Sequence, residues 1–362
     1  MTPRVQHATG IAEARFADDL TIQIGRFDAK LNASGLGEGW QNRCDINEAV
    51  KSLLMDGALV DLTDLVLHDA NMNKRSPTND LVRAASALRA RRSSRQRPAP
   101  WPLTHEGLAS IAGGLASKRD TAAPAPPTIM EAAQLDDDPD TLSSQFAEID
   151  ALIERTGKVL RGEVVSARDR ASAIYNAEQN EEEAEDRWFE ELRSFEALPA
   201  VQAAAMAWHS WSELKLYGRQ PWLGLIVAGS VLRAREVTGL SLPLAAGFRA
   251  ANFNSRHAIS RDWAVSMFCS VLEHAMKIAA SDYAALSLSR DLMSQRLRGR
   301  RAGSKLSDLV DLFLSRPVVT MPLAGMHLKV TPHAVKIMFE ELGQSLPREL
   351  TGRSRYRAWG IL

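Results

Sequence analysis

Apolar residues recur along most of this chain at three- and four-residue steps, which puts them on one face of an α-helix. IGRFDAKL carries that spacing near the start. GLGEGW (Gly35 to Trp40) then predicts a loop, because three glycines in five residues weaken a helix. Asp45 reads as the cap of a helix through INEAVKSLLMDGALV, with Glu48 three residues on as a capping box prefers. Leu59, Leu62, Leu65 and Val66 continue the spacing. From Thr141 a long stripe begins at Phe146, Ile149, Ile153, Thr156, Leu160 and Ala167. EQNEEEAEDRW reads as its solvated continuation, anchored by Trp188. VQAAAMAWHSW, WLGLIVAGSVL and WAVSMFCSVLEHAMKIAA are apolar almost all round, which predicts central, buried helices and a buried His209. Strands and helices do not alternate, so a parallel sheet is not expected. The fold class is all-α: a multi-helix bundle with a C-terminal winged helix-turn-helix carrying a small β-hairpin.

Composition divides this pattern. RARRSSRQRPAPWP, TAAPAPPT and LDDDPD are Pro-rich or charged, and such segments bury too little apolar surface to fold alone. The expected domains are therefore 1–92 (helical), 93–139 (linker, with a short helix at HEGLASIAGGLASK), 140–304 (central helical) and 305–362 (winged helix). No run of eighteen apolar residues suggests a membrane span, and the first residues lack a secretory apolar core. Two distant cysteines, Cys44 and Cys269, support neither a disulfide framework nor a zinc site, so a reducing cytoplasm is the expected home. Formal net charge is zero, yet from Arg290 onward thirteen Lys and Arg face six Asp and Glu. Attraction to phosphate depends on that local excess rather than on the total.

The basic end also carries the clearest local pattern. KLSDLVDLFLSR predicts a helix stopped by Pro317. MPLAGMHL, a KVT turn and PHAVKIMFEELG follow in the order of a helix-turn-helix. Gly325 suits the close crossing of the two helices, and Leu328 and Val330 bracket the turn. Lys329 stands where glycine is commoner, so a left-handed backbone there would cost about 1 kcal/mol. Thr331 serves as N-cap, Pro332 as the first helical residue and Gly343 as the stop. With Val335, Met338, Phe339 and Leu342 inward, His333, Lys336, Ile337 and Glu340 face outward, toward a major groove. Arg348 to Leu350 and Arg355 to Trp359 read as the two strands of a wing. Arg353, Arg355 and Arg357 would then share one strand face, a set that phosphates neutralise. RLRGRRAGSK adds a second basic patch at Arg298, Arg300 and Arg301.

Over the whole chain, LVLHDANMNKRSPTNDL, QPWLGLIVAGSVLRAR, LSRPVVT and ELTGRSRYRAWGIL resemble an uncharacterised family of rhizobial, often plasmid-encoded proteins. That family couples a domain of unknown function to a C-terminal helix-turn-helix, which implies DNA binding. A weaker resemblance is to Fic-type adenylyltransferases, carried by WSELKLYGRQPWLGLIVAGSVL and by the Ser52, Asp56, Gly57 spacing of an inhibitory helix. Set against the Fic loop HPFxDGNGR, its His position falls on Leu214, its acid on Gly218 and its final Arg on Trp222. Leucine takes no proton, and Pro221 donates no hydrogen bond to phosphate, so this resemblance implies a catalytically inactive scaffold that binds a protein partner or nucleotide.

Other chemistry finds no footing. His-Glu-x-x-His, Cys-x-x-Cys, P-loop and Gly-x-Ser-x-Gly spacings do not occur. Arg256, His257, Arg261 and Tyr356 follow the order of a tyrosine recombinase, but the rest of that pattern is missing and Tyr356 fits as a wing residue. The expectation is a non-enzymatic, cofactor-free protein that binds double-stranded DNA, away from membranes, as a transcriptional regulator or plasmid-maintenance factor. The long helix from Thr141 could pair two copies into a homodimer.

Overall fold

A computed structural model describes residues 3–72, 76–113, 167–218, 220–252, 261–297, 305–353 and 355–362. Residues 1–115 and 188–362 belong to one compact unit and 116–187 to a second. Of the second unit only 167–187 are described, as the start of one helix. The stripe expected from Phe146 to Leu160, TAAPAPPT, LDDDPD, and Arg298, Arg300 and Arg301 lie outside the described residues.

The described elements are α1 (Pro3–Ser34), α2 (Gly37–Met55), α3 (Leu62–Asp69), α4 (Asn79–Gln96), α5 (His105–Ile111), α6 (Ala167–Ser194), α7 (Ala200–Leu214), α8 (Leu223–Ala234), α9 (Leu244–Ala250), α10 (Arg261–Gln295) and α11 (Lys305–Ser315). Then come β1 (Val319–Thr320), α12 (Met321–Leu328), α13 (Pro332–Leu342), β2 (Arg348–Glu349) and β3 (Ala358–Gly360). The described residues are all-α apart from this small C-terminal sheet. No described helix is long and apolar enough to cross a membrane.

Helix α10 runs through the middle of the first unit and packs on α1, α2, α7, α9 and α11. On α1, Ala17, Leu20, Ile24, Phe27 and Leu31 are buried at alternating three- and four-residue steps, so a single stripe seats the helix. The chain segment before α7 is anchored by Trp188, which is wholly buried, donates from Nε1 to the Ala207 carbonyl at 3.1 Å and meets Trp211 edge-on at 5.4 Å. Its acidic neighbours from Glu181 to Glu183 stay exposed, and His209 is buried.

Local pattern misleads at three places, each for a physical reason. The GLGEGW loop shrinks to Gly35 and Leu36, and the rest is helix. Gly39 is there for close approach: a Cβ would stand 2.0 Å from the Leu314 carbonyl oxygen. Asp45 and Glu48 do not cap α2, since both are buried in its interior. Glu48 instead caps α9, accepting from the Ala245 and Ala246 amides at 2.8 Å each. Asp45 takes Arg95 at 3.0 Å and Arg91 at 3.4 Å, and Arg91 also meets Glu48 at 3.5 Å. Burial pushes the Glu48 carboxyl up, against the pull of Arg91 and the two amides. The boundary expected at residue 92/93 falls inside α4, because Arg91, Ser94 and Arg95 of the RARRSSRQ stretch turn their polar groups inward. Arg95 holds Asp45, and the Ser94 and Ser230 hydroxyls lie 3.2 Å apart. The chain past α4 stays packed through Leu108, which is wholly buried in α5.

Candidate nucleic-acid interface

The module from Lys305 onward is built on an aromatic column. Phe313 of α11 lies 5.5 Å from Phe339 of α13, which meets Trp359 of β3 edge-on at 4.9 Å. Strand β3 sits between the other two, pairing antiparallel with both: Val319 opposite Trp359, and Arg348 opposite Gly360. So the expected hairpin gains a third strand from the VVT stretch before α12.

Helices α12 and α13 form the helix-turn-helix. Thr320 caps α12 by accepting from the Leu323 amide at 3.2 Å. Lys329 ends it in the left-handed region, with φ +55°, while the Val330 amide closes back on the Gly325 carbonyl at 3.1 Å. A Cβ on Gly325 would come within 3.3 Å of the Val330 carbonyl oxygen, which explains the small residue at the crossing. Thr331 caps α13 by accepting from the Ala334 amide at 3.3 Å, Pro332 follows, and Gly343 ends the helix with φ +51°. Val335, Met338, Phe339 and Leu342 are buried. His333, Lys336, Ile337 and Glu340 are exposed, and Lys336 reaches Glu340 at 3.8 Å along the helix surface. A pair that open contributes little stability, so Lys336 remains available to a stronger anion.

The wing differs from its expected geometry. Strand β3 begins at Ala358, so Arg353, Arg355 and Arg357 lie in the loop before it and do not share a strand face. Arg353 is half-buried and donates to the Met72 carbonyl at 3.2 Å, tethering the loop to the N-terminal helices. Arg357 lies over the Trp359 ring at 4.9 Å. Arg355 is exposed, with no hydrogen-bond or ion-pair partner among the described residues, and Arg348 is exposed on β2. Tyr356 adopts φ +55°, a conformation that costs a non-glycine residue about 1 kcal/mol or more.

Glu349 organises this loop. Its carboxylate accepts from the Thr351 amide at 3.0 Å, from the Gly352 amide at 3.0 and 3.1 Å, and from the Thr351 hydroxyl. Burial alone would raise its pKa, but these hydrogen bonds and the nearby Arg357 charge outweigh it and hold the carboxyl below its ordinary value. Sequence gave one usable clue to this role, an acid placed directly before a Leu-Thr-Gly turn.

Arg43, on α2, fixes the module to the body. Nε donates to the Ile361 carbonyl at 2.8 Å. Nη1 donates to Gly39 and Leu314 at 2.8 and 2.7 Å, and Nη2 to Phe313 and Arg316 at 2.7 and 2.8 Å. All five guanidinium donors are thus used on carbonyls, most of them at the C-terminal end of α11, where the helix dipole favours a cation. Burial pushes the Arg43 pKa down to about 10. Asn42 adds a bond to the Ser315 carbonyl at 3.1 Å.

The three positions set against the Fic loop lie at the α7–α8 connection. Leu214 ends α7, Gly218 is in the turn, and Trp222 is buried just before α8. Trp211, near the end of α7, and Tyr217, in the turn, stack with ring centroids 5.8 Å apart.

Residues 306–362 match the family described as "HTH DNA binding domain". Residues 173–298 match "Protein of unknown function (DUF1612)". The chain is also 31% identical over 370 residues to a Sinorhizobium fredii (strain NBRC 101917 / NGR234) protein named "Uncharacterized protein y4cF", covering 96% of each chain. Neither matched family is a Fic family.

Proposed function

The chain belongs to the family of that rhizobial relative, with a DUF1612 segment followed by a DNA-binding helix-turn-helix, and on this footing we propose that it reads duplex DNA by sequence, as a transcriptional regulator or plasmid-maintenance factor. The observation that carries the reading is helix α13. It is capped at both ends and seated by four buried residues, and it offers His333, Lys336 and Ile337 to solvent on its outer face. In the proposed complex α13 enters a major groove. Lys336 and His333 meet base edges, and Ile337 offers an apolar contact of the kind that suits a thymine methyl. Thr331 and Arg348 hold phosphates at the helix start and on β2, while Arg355 and Arg357 do so on the wing. The work is done by binding, in the cytoplasm, without catalysis or cofactor. Leucine at position 214, where an adenylyltransferase needs a histidine base, supports that view.

Selection of bound duplexes from a randomised pool tests this. The expected result is a defined sequence whose preference relaxes at one or two positions in Lys336→Ala or His333→Ala, by about 1–3 kcal/mol per lost base contact. Two copies acting together would give half-sites about 10 base pairs apart. Recovery of unenriched sequence from the intact protein would defeat the sequence-reading role.

A further inference from the structure

Tyr356 is the most exposed aromatic side chain among the described residues. It stands 79% exposed, whereas Trp263 and Phe16 are near 40%. Its ring meets no other described ring, so packing within the fold does not account for it. Its backbone is left-handed, a conformation that glycine or asparagine would hold with less strain. Such strain persists only where the surroundings impose it, and here they do. Glu349 fastens Thr351 and Gly352 on one side of the loop, Arg353 is tied to Met72, and Arg357 lies over Trp359 on the other. The result is a braced tip that projects an aromatic ring between two exposed arginines, Arg355 and Arg357.

We propose that Tyr356 is a wedge: the wing brings its ring against a base-pair step in a minor groove and unstacks it, while Arg355 and Arg357 hold the flanking phosphates. The proposal rests on the DNA-binding reading and adds a specificity-determining residue to it. The chemistry is complementary. Guanidiniums draw the tip to the backbone, and an exposed π-face gains most by stacking on a base. Inserted side chains kink duplexes where unstacking is easiest, at pyrimidine–purine steps, so the wedge selects a deformable step rather than a base edge. The phenol hydroxyl adds a donor for the adenine N3 and thymine O2 acceptors that line a minor groove.

The test uses duplexes selected by the intact protein, with permanganate oxidation to report unstacked thymines. The intact protein and Tyr356→Phe should both raise thymine reactivity at one step, with affinities within about threefold of each other. Tyr356→Gly removes the ring and the backbone strain together. Its thermal midpoint should hold or rise, while affinity for the selected duplex falls about tenfold or more and the reactive thymine disappears. Affinity for unselected duplex should change little. A Tyr356→Gly protein that binds the selected duplex as tightly as the intact one, with the same permanganate pattern, overturns the wedge and leaves DNA binding standing. The exposed ring would then fit a protein partner, since Tyr and Arg also dominate protein interfaces. An intact protein that retains no duplex at low salt is a different failure, because it removes the DNA reading itself.

Discussion

Arginine is used in opposite ways in two regions of this molecule. On α2 and α4 it is consumed by the fold: Arg43 gives all five donors to carbonyls, and Arg91 sits buried between Asp45 and Glu48. On β2 and the wing, Arg348, Arg355 and Arg357 are exposed, and the neighbouring Glu349 carboxylate is occupied by its own turn. A buried guanidinium without partners would be very costly, so the body must satisfy its arginines internally. An exposed guanidinium faces no such demand and stays available to an external anion. The contrast teaches that the number of arginines says little about binding, whereas their unspent hydrogen bonds say a great deal.

Breaking the buried side should have the largest effect on folding. Arg43→Ala strips donors from the Phe313, Leu314, Arg316 and Ile361 carbonyls. It is expected to cost about 3 kcal/mol, read as a lower urea midpoint. Arg43→Lys should recover only part of this, because three donors on a flexible stem cannot replace a planar fork. A midpoint unchanged by Arg43→Ala would mean that water satisfies those carbonyls equally well.

Breaking the exposed side should separate binding from stability. Arg355→Ala with Arg357→Ala should leave stability within about 0.5 kcal/mol, as for other surface changes. The same pair should make the log–log salt dependence of duplex binding shallower by about 1.8, at about 0.9 per phosphate. Equal losses of stability and affinity would erase the distinction between the two regions.

The smallest expected effect lies in the wing's own brace. Glu349 has a folded-state pKa below the ordinary glutamate value of 4.5. Its contribution is therefore full above that value and lost as pH falls through the lower, folded one. Hydrogen exchange at the Thr351 and Gly352 amides should lose protection over that acidic window. In Glu349→Gln the step should vanish, and its persistence there would assign the brace to another group.

The same contrast explains what the sequence made legible. Helix α13 could be read because its determinants are local: Thr331, Pro332 and Gly343 mark its ends, and the four apolar positions between them set its inward face. The exposed face of α13 followed from that geometry. Arg43 could not be read, since its partners lie up to 318 residues away and nothing local marks a buried arginine. Asp45 and Glu48 mimic a capping box, and only the arrival of α4 and α9 reveals their real partners. The wing was visible as a cluster of arginines, but not the early end of its strand pairing, which moved three of them from a strand face into a loop.

If the proposed function holds, the C-terminal module grips duplex DNA through arginines the fold leaves unspent. The most direct test is fluorescence anisotropy of the intact protein with a randomised duplex pool at about 50 and 200 mM salt, beside a variant with Arg348, Arg355 and Arg357 changed to Ala. Neutralisation of about three phosphates predicts a log–log slope near −2.7, at about 0.9 per phosphate, much shallower in the variant. Absence of binding at the lower salt, or binding that ignores both salt and the three substitutions, would mean that these arginines do not hold DNA.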